Sequence, residues 1–192
     1  MKKLKVILMI AVAAFALQAC NSGEKDSTEA ADSANMEKDT SVVGAGIAVV
    51  EDDAKFVVDA ANGGMTEVEL SKLAQQKGSN AKAKGFANMM VLDHDMANAE
   101  LKAIAKTKNV TLPDSLNTDS KKAWENLSKK SGVDFDKAYI SAMVDDHKKT
   151  VSLFEDASKN LKDPDLRAFV DKTLPVIKGH LSKATTIKDG MK

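Results

Sequence analysis

The chain has 192 residues, 43% of them hydrophobic and 29% charged, which indicates one globular domain of ordinary size. Aromatic residues make up only 4%, and this composition favours helices over a β-sandwich or barrel. The 28 basic residues balance 28 acidic ones, which argues against a nucleic-acid-binding protein, and the single cysteine excludes an intramolecular disulfide or a thiolate metal cluster.

Residues 1–19 have the pattern of a lipoprotein signal peptide. A lysine-rich start is followed by an apolar stretch that is short for a membrane-spanning helix, and a small residue precedes Cys20. The run Leu17-Gln18-Ala19-Cys20 resembles a bacterial lipobox, in which the chain is cut before the cysteine and the cysteine is then lipidated. A plain signal peptide with a chance cysteine is the alternative.

A lipid anchor at Cys20 would make the membrane a partner of the mature chain, because several acyl chains together anchor a protein stably. Asn21 and Ser22 follow the cysteine, at positions where inner-membrane lipoproteins of enterobacteria carry an aspartate. This resemblance implies an outer-membrane lipoprotein of the cell envelope that faces the periplasm. Display on the cell surface is left open.

Residues 20–50 are expected to form the lipidated cysteine and a flexible tether. Up to about Thr40 the composition is polar and contains no aromatic residue, so this part is not expected to bury enough apolar surface to fold. Residues 41–50 contain four valines and an isoleucine. They are interpreted either as a strap that lies against the domain or as an interaction segment.

Helical periodicity begins after Glu51 and defines a domain over residues 51–188. Asp163 and Pro164 are typical of a helix start, since Asp caps the first N–H groups and Pro fits the first turn. The long helices form two hairpins, joined by a connection that contains a short helix, so the fold class is all-α. The arrangement is compatible with a ferritin-like four-helix bundle, and a plain up-down bundle is the alternative. The predicted helices are 51–77, 79–108, 118–131, 134–161 and 163–187.

All three histidines of the chain, His94, His147 and His180, fall on different long helices. Each is in phase with the apolar residues of its helix, at spacings of three and four, so each is predicted to face the core. Their positions along the two hairpins also place them at similar heights. Three imidazoles at one level of a bundle are a candidate site for a transition metal ion.

Glu67 is the carboxylate expected nearest to these histidines, because it lies about one turn beyond the position opposite His94. The predicted site is one Zn, Cu or Fe ion held by the three histidines and Glu67. Asp93 and Asp146 precede two of the histidines and project away from them, so they are interpreted as surface residues or as orienting partners. The alternative is that the histidines are buried, neutral and satisfied by hydrogen bonds.

The sequence resembles the DUF4142 family of exported bacterial proteins over about residues 51–188. This resemblance implies a ferritin-like fold, but no established activity. Val91, Val144 and Ile177 stand three residues before the histidines, so the Glu-x-x-His motif of di-iron bundles is absent. The matching stretches are 56–64, 67–70, 73–74, 86–91, 93–94, 97–98, 112–113, 135–139, 143–144 with His147, 153–155, 173–175 and 180–181.

Two functions of different classes follow from these features. The first is an envelope lipoprotein whose helical bundle binds a metal ion through core histidines. The second is a non-metallic structural or interaction lipoprotein of the envelope. No reactive cysteine or Ser-His-Asp order is evident, so the sequence favours a non-enzymatic role, although a histidine–carboxylate acid–base site stays open.

Overall fold

The computed structural model describes residues 25–40 and 46–191 and is helical throughout its regular structure. The predicted signal peptide and Cys20 lie outside the described residues. Within these residues, no helix combines the length and the hydropathy needed to cross a bilayer. The helices are α1 Ser27–Thr40, α2 Glu51–Lys77, α3 Ala81–Thr107, α4 Thr118–Ser128, α5 Gly132–Asn160 and α6 Pro164–Asp189.

The predicted helices 51–187 agree with α2 to α6 to within a few residues at each end, because capping residues mark their boundaries. The Asn80 side chain accepts hydrogen bonds from the backbone N–H groups of Lys82 and Ala83 at the start of α3. Asp163 caps the start of α6 in the same way, ahead of Pro164. Gly78 follows α2, as expected, but in an extended rather than a left-handed conformation.

The segment predicted to be a flexible tether contains a helix, so that prediction is wrong for residues 27–40. Ala31 and Asn35 of α1 are both buried, and the helix packs against α2. The Asn35 amide donates to the carbonyl of Thr111 at 3.0 Å and accepts from its N–H at 2.7 Å. Composition alone could not indicate this docking, because it depends on polar contacts and one small side chain rather than on apolar surface.

Residues 46–50, the described part of the 41–50 segment, lie against the helices. The N–H of Ala48 donates to the carbonyl of Lys108 at 2.9 Å. Val49 is buried, and Ile47 packs on the same hydrophobic cluster. These contacts match the first interpretation of the segment, a strap that lies against the domain.

A buried carboxylate ties each hairpin to the loop of the other. Asp136, on α5, accepts hydrogen bonds from the backbone N–H groups of Ser79 at 3.0 Å and Asn80 at 2.8 Å. Asp53, on α2, accepts from the N–H groups of Lys162 at 3.0 Å and Asp163 at 2.7 Å. Because hydrogen bonds to an ionised acceptor are strong, these contacts fix how the hairpins meet. We call the two ends of the molecule the Asp136 end and the Asp53 end.

Four long helices enclose the interior. The helix α2 lies against α3 and α5, α6 lies against the same two helices, and α3 and α5 also touch each other. Both α3 and α5 run from the Asp136 end to the Asp53 end. The connection between them, residues 108–131, therefore runs the length of the molecule, and α4 within it packs on α2 and α5.

Two hydrophobic clusters fill the interior, one toward each end. The cluster at the Asp136 end contains Phe86, Phe135 and Tyr139, each at most 1% exposed. The cluster at the Asp53 end contains Phe56, Phe154 and Phe169. The polar residues that the sequence singled out lie between these two clusters.

Candidate metal centre

The structure brings the three histidines together from three helices. His94 lies on α3, His147 on α5 and His180 on α6, and their side chains are buried, with 7%, 0% and 4% exposure. The ring centroids are 5.8 Å apart for His94–His147, 5.4 Å for His94–His180 and 5.6 Å for His147–His180. The imidazoles thus form a nearly equilateral triangle in the interior.

The donor atoms of this triangle are close enough to share an ion. One ring nitrogen from each histidine lies within 4.8 Å of those of the other two. Metal–nitrogen bonds to histidine are about 2.0–2.1 Å long, so two nitrogens on one ion are at most about 4 Å apart. Closing the triangle onto an ion requires each imidazole to move by ~1 Å or less.

One nitrogen of each ring is buried without a hydrogen-bond partner among the described residues. These atoms are Nε2 of His94, Nε2 of His147 and Nδ1 of His180. Leaving a buried polar atom unsatisfied costs free energy, and most native proteins avoid it. Both carboxyl oxygens of Glu67 are likewise buried without a hydrogen-bond partner among the described residues. An ion bound by all three rings would satisfy the three nitrogens.

Glu67 contacts two of the histidines, but through their other nitrogens. Its carboxylate is 1% exposed and lies 3.2 Å from Nδ1 of His94 and 3.0 Å from Nδ1 of His147. The group of mutually close donor atoms includes no Glu67 oxygen. The sequence placed Glu67 among the ligands. In the structure its two oxygens lie near the outer nitrogens of His94 and His147, and neither oxygen makes a hydrogen bond among the described residues.

The remaining imidazole contacts are to Asp93 and to the backbone. Nε2 of His180 lies 2.9 Å from the carboxylate of Asp93, on α3. Nδ1 of His147 donates 2.9 Å to the carbonyl of Met143, one turn earlier in α5. A carboxylate or carbonyl on the outer nitrogen fixes the tautomer and directs the other nitrogen toward a metal. Asp146, by contrast, pairs with the exposed Lys149 at 3.3 Å.

Burial in the cluster keeps the imidazoles of His94 and His147 neutral at physiological pH. Burial, and then the neighbouring charges of His147 and His180, lower the pKa of His94 to about 3. Burial and the charge of His180 lower the pKa of His147 to about 4. Since a metal binds the neutral imidazole, these two rings are in the binding form over a wide pH range.

Glu67 is shifted in the opposite direction. Burial, followed by the negative charge of Asp146, raises the pKa of Glu67 to about 8. In the metal-free protein at neutral pH, its carboxyl group therefore holds a proton. A cation at the histidines would favour the ionised carboxylate, so metal binding would displace that proton.

The family to which the chain belongs follows from its sequence. The sequence model of a domain of unknown function, DUF4142, matches residues 39–187. The chain belongs to the DUF4142 family. The match confirms the predicted resemblance and spans all three histidines and Glu67. Among curated proteins, no sequence matches this DUF4142 chain.

Two solved structures are similar to the DUF4142 chain. One is the crystal structure of a DUF305 fragment from Deinococcus radiodurans, with a TM-score of 0.67 and 9% identity over 73% of this chain and 97% of that one. The other is CopM in the Cu(I)-bound form, with a TM-score of 0.61 and 16% identity over 72% of this chain and 96% of that one. At these identities the likeness establishes a shared helical fold.

A pocket beside the histidines of the DUF4142 chain was not predicted from sequence. It has a volume of about 350 Å³, and its lining includes Glu67, His94 and His180 but not His147. Asn98, another lining residue, fills the space beside Gly64, where an added Cβ would overlap its amide. Asn98 therefore occupies the space that the missing side chain of Gly64 leaves.

Proposed function

We propose that this protein is an envelope lipoprotein whose ferritin-like bundle binds one transition metal ion (Zn, Cu or Fe). The ligands are His94, His147 and His180. The observation that carries the proposal is the set of three buried ring nitrogens, one from each of three helices, that find no hydrogen-bond partner within residues 25–40 and 46–191. The donor chemistry fits, because neutral imidazole binds all three of these metals.

The contacts behind the ligands support the same assignment. Two of the histidines have a hydrogen-bond partner on the nitrogen that would not bind the metal: the Met143 carbonyl for His147 and the Asp93 carboxylate for His180. A Glu67 oxygen also lies 3.2 Å from the outer nitrogen of His94 and another 3.0 Å from that of His147. Such partners hold imidazoles in the orientation and tautomer that a metal requires. Satisfied core histidines, the alternative interpretation, would not leave all three inner nitrogens unpaired.

The similarity to CopM in the Cu(I)-bound form adds weak support for a metal, since that protein has the same helical fold. Copper is therefore one of the metals to test first. The identity of the ion is set by the experiment below, because three imidazoles bind Zn, Cu and Fe alike.

The ferritin-like topology is proposed from the helix order. In an up-down bundle, the consecutive helices α3 and α5 would be antiparallel neighbours, whereas here they run in the same direction and the connection between them is long. A single long crossover between two hairpins is typical of ferritin-like folds. The lipid anchor at Cys20, the signal peptide 1–19 and the periplasm-facing outer-membrane location are proposed from the sequence pattern alone.

The decisive experiment is elemental analysis of the protein after exposure to Zn, Cu, Fe and Mn. We expect about one metal ion per chain, and the metal that remains after dialysis identifies the ion. Because triple substitution of the histidines could unfold the protein, the variants to compare are His94→Gln, His147→Gln and His180→Gln, each of which keeps a polar side chain of similar length. Each should lower metal affinity at least ~100-fold, since one of three ligands is lost.

Thr150→Ala is the matched control, because Thr150 lies on α5 one turn from His147 and its hydroxyl donates a hydrogen bond to the backbone carbonyl of Asp146. It should bind metal as the natural protein does. Retention of no metal by the natural protein would reject the metal site. The histidines would then be core polar residues, and the non-metallic structural or interaction lipoprotein would be the function to pursue.

A further inference from the structure

The pocket lies beside the histidines, on the side that faces the Asp53 end. Glu67, His94 and His180 form part of its wall, while His147 is fully buried and lies outside it. On the other side of the histidines, Met90 and Met143 are 0% exposed and fill the interior. The pocket thus reaches the rings of His94 and His180 from the side away from Met90 and Met143, while the three unpaired nitrogens themselves are buried.

The pocket has the composition of a site for a small organic molecule. Beyond the histidines its wall is mainly apolar, with Leu101, Phe154 and Phe169 from three helices. The exposed Met96 and Val176 also line it. A volume of about 350 Å³ is within the range of small-molecule sites, which combine an apolar wall with a few converging polar groups.

Three protein ligands leave an ion with an open coordination position. Structural zinc sites are closed by four protein ligands, whereas sites with three keep a position for water or substrate. The buried carboxyl group of Glu67 lies beside the outer nitrogens of His94 and His147 and is not among the mutually close donor atoms. The pocket is the space from which a fourth ligand would come.

We propose that the pocket binds a small organic molecule that has an oxygen-donor head and an apolar body. The head coordinates the ion at its open position, and the body packs against Phe154 and Phe169. This inference rests on the metal site proposed above and specifies the class of ligand that the site takes. It makes the bundle a metal-dependent receptor for a small molecule rather than a simple metal store.

The test uses the full chain loaded with Co²⁺, whose visible absorption reports the ligands of the ion. The probes are acetohydroxamate and benzohydroxamate, which share an oxygen-donor head and differ in the apolar body. Both should change the spectrum, and benzohydroxamate should bind at least ~10-fold more tightly because its ring is buried in the pocket.

Two variants of α3 test whether the preference for benzohydroxamate arises in the pocket. Ala97 lines the pocket, whereas Ala99, two residues further on, is exposed and does not. Ala97→Phe should fill the space and remove the preference for benzohydroxamate, while still binding Co²⁺. Ala99→Phe introduces the same side chain outside the pocket and should keep the preference.

The outcomes separate this proposal from the metal site itself. If the protein binds no Co²⁺, and no other metal by elemental analysis, the metal site and the receptor proposal both fail. If Co²⁺ binds but its spectrum is unchanged by either hydroxamate, the metal site stands and the open position is rejected. Equal affinity for the two probes, or a preference that survives Ala97→Phe, would reject the pocket as the site of the apolar body.

Discussion

The two ends of the bundle are built by the same device but are packed differently. At each end, a buried aspartate of one hairpin binds the backbone N–H groups of the other hairpin's loop. Toward the Asp136 end the interior is filled, with Phe135 and Tyr139 stacked at a centroid distance of 6.5 Å. Toward the Asp53 end, the pocket replaces part of the core. The interior at the Asp136 end is therefore filled by side chains, whereas the interior at the Asp53 end leaves open space beside the histidines.

The largest expected difference between the ends is in the free energy of unfolding that is lost when an aromatic ring is removed. Phe135→Ala should lower the free energy of unfolding by about 4–5 kcal/mol, because the closed cluster cannot collapse into the cavity. Phe169 lines the pocket, so its removal enlarges a space that already exists, and Phe169→Ala should lower the free energy of unfolding by about 3 kcal/mol or less. Urea denaturation of the metal-free variants measures both, and an equal or larger cost at Phe169 would contradict the comparison.

Replacing Glu67, which lies between the two ends, should remove a pH-dependent loss of stability and at the same time weaken metal binding. Its pKa is raised from 4.5 to about 8, while the pKa values of His94 and His147 are lowered from 6.5 to about 3 and about 4. For these three groups, the unfolded chain binds more protons than the folded chain just below pH 6.5. Between pH 6.5 and 8 the folded chain binds more, because Glu67 keeps its proton.

The metal-free protein should therefore be most stable near pH 6.5, as judged from these groups, and lose stability on both sides. The alkaline loss is about 1 kcal/mol per pH unit and should vanish in Glu67→Gln, which at the same time should bind metal about 10-fold more weakly. Denaturation from pH 5 to 9 tests this, with the exposed Glu69→Gln as the control. An alkaline loss that persists in Glu67→Gln would show that another group causes it.

Asp93 lines the pocket and contacts the histidine triangle from that side. Its carboxylate is 32% exposed and holds His180, whereas the backbone carbonyl that holds His147 is part of a helix. Asp93→Asn should weaken metal binding about 10-fold, because the outer partner of the ligand loses its charge. Asp95→Asn, an exposed position on the same helix, should leave the affinity unchanged. An equal effect of both variants would indicate only a general loss of negative charge.

The smallest effect is expected at α1, which docks near the Asp53 end. Asn35→Ala removes both hydrogen bonds to Thr111 and should destabilise the docking of α1 by about 1–2 kcal/mol. Hydrogen exchange should then be faster in α1 alone, with unchanged metal affinity. Ser33→Ala, which removes an exposed hydrogen bond, is the control. Faster exchange throughout the bundle would mean that α1 is part of its cooperative core.

The sequence by itself determined the helices of the bundle and the inward faces of their histidines. Hydrophobic period, capping residues and prolines act within one helix, so they can be read from neighbouring positions along the chain. The family assignment also came from the sequence. The same reasoning failed at residues 27–40, because α1 is held by hydrogen bonds between side chains and a loop more than 70 residues away.

Tertiary structure decided which atoms of the site face one another. Periodicity places His94, His147 and His180 in the core, but the rotation and register of α3, α5 and α6 set the distances between their rings. The same packing turns Glu67 to the outer nitrogens and brings Asp93 to His180 on another helix. The pocket likewise has walls from four helices. Contacts between helices depend on relative positions that no single helix encodes, which is the physical reason that only the folded chain reveals them.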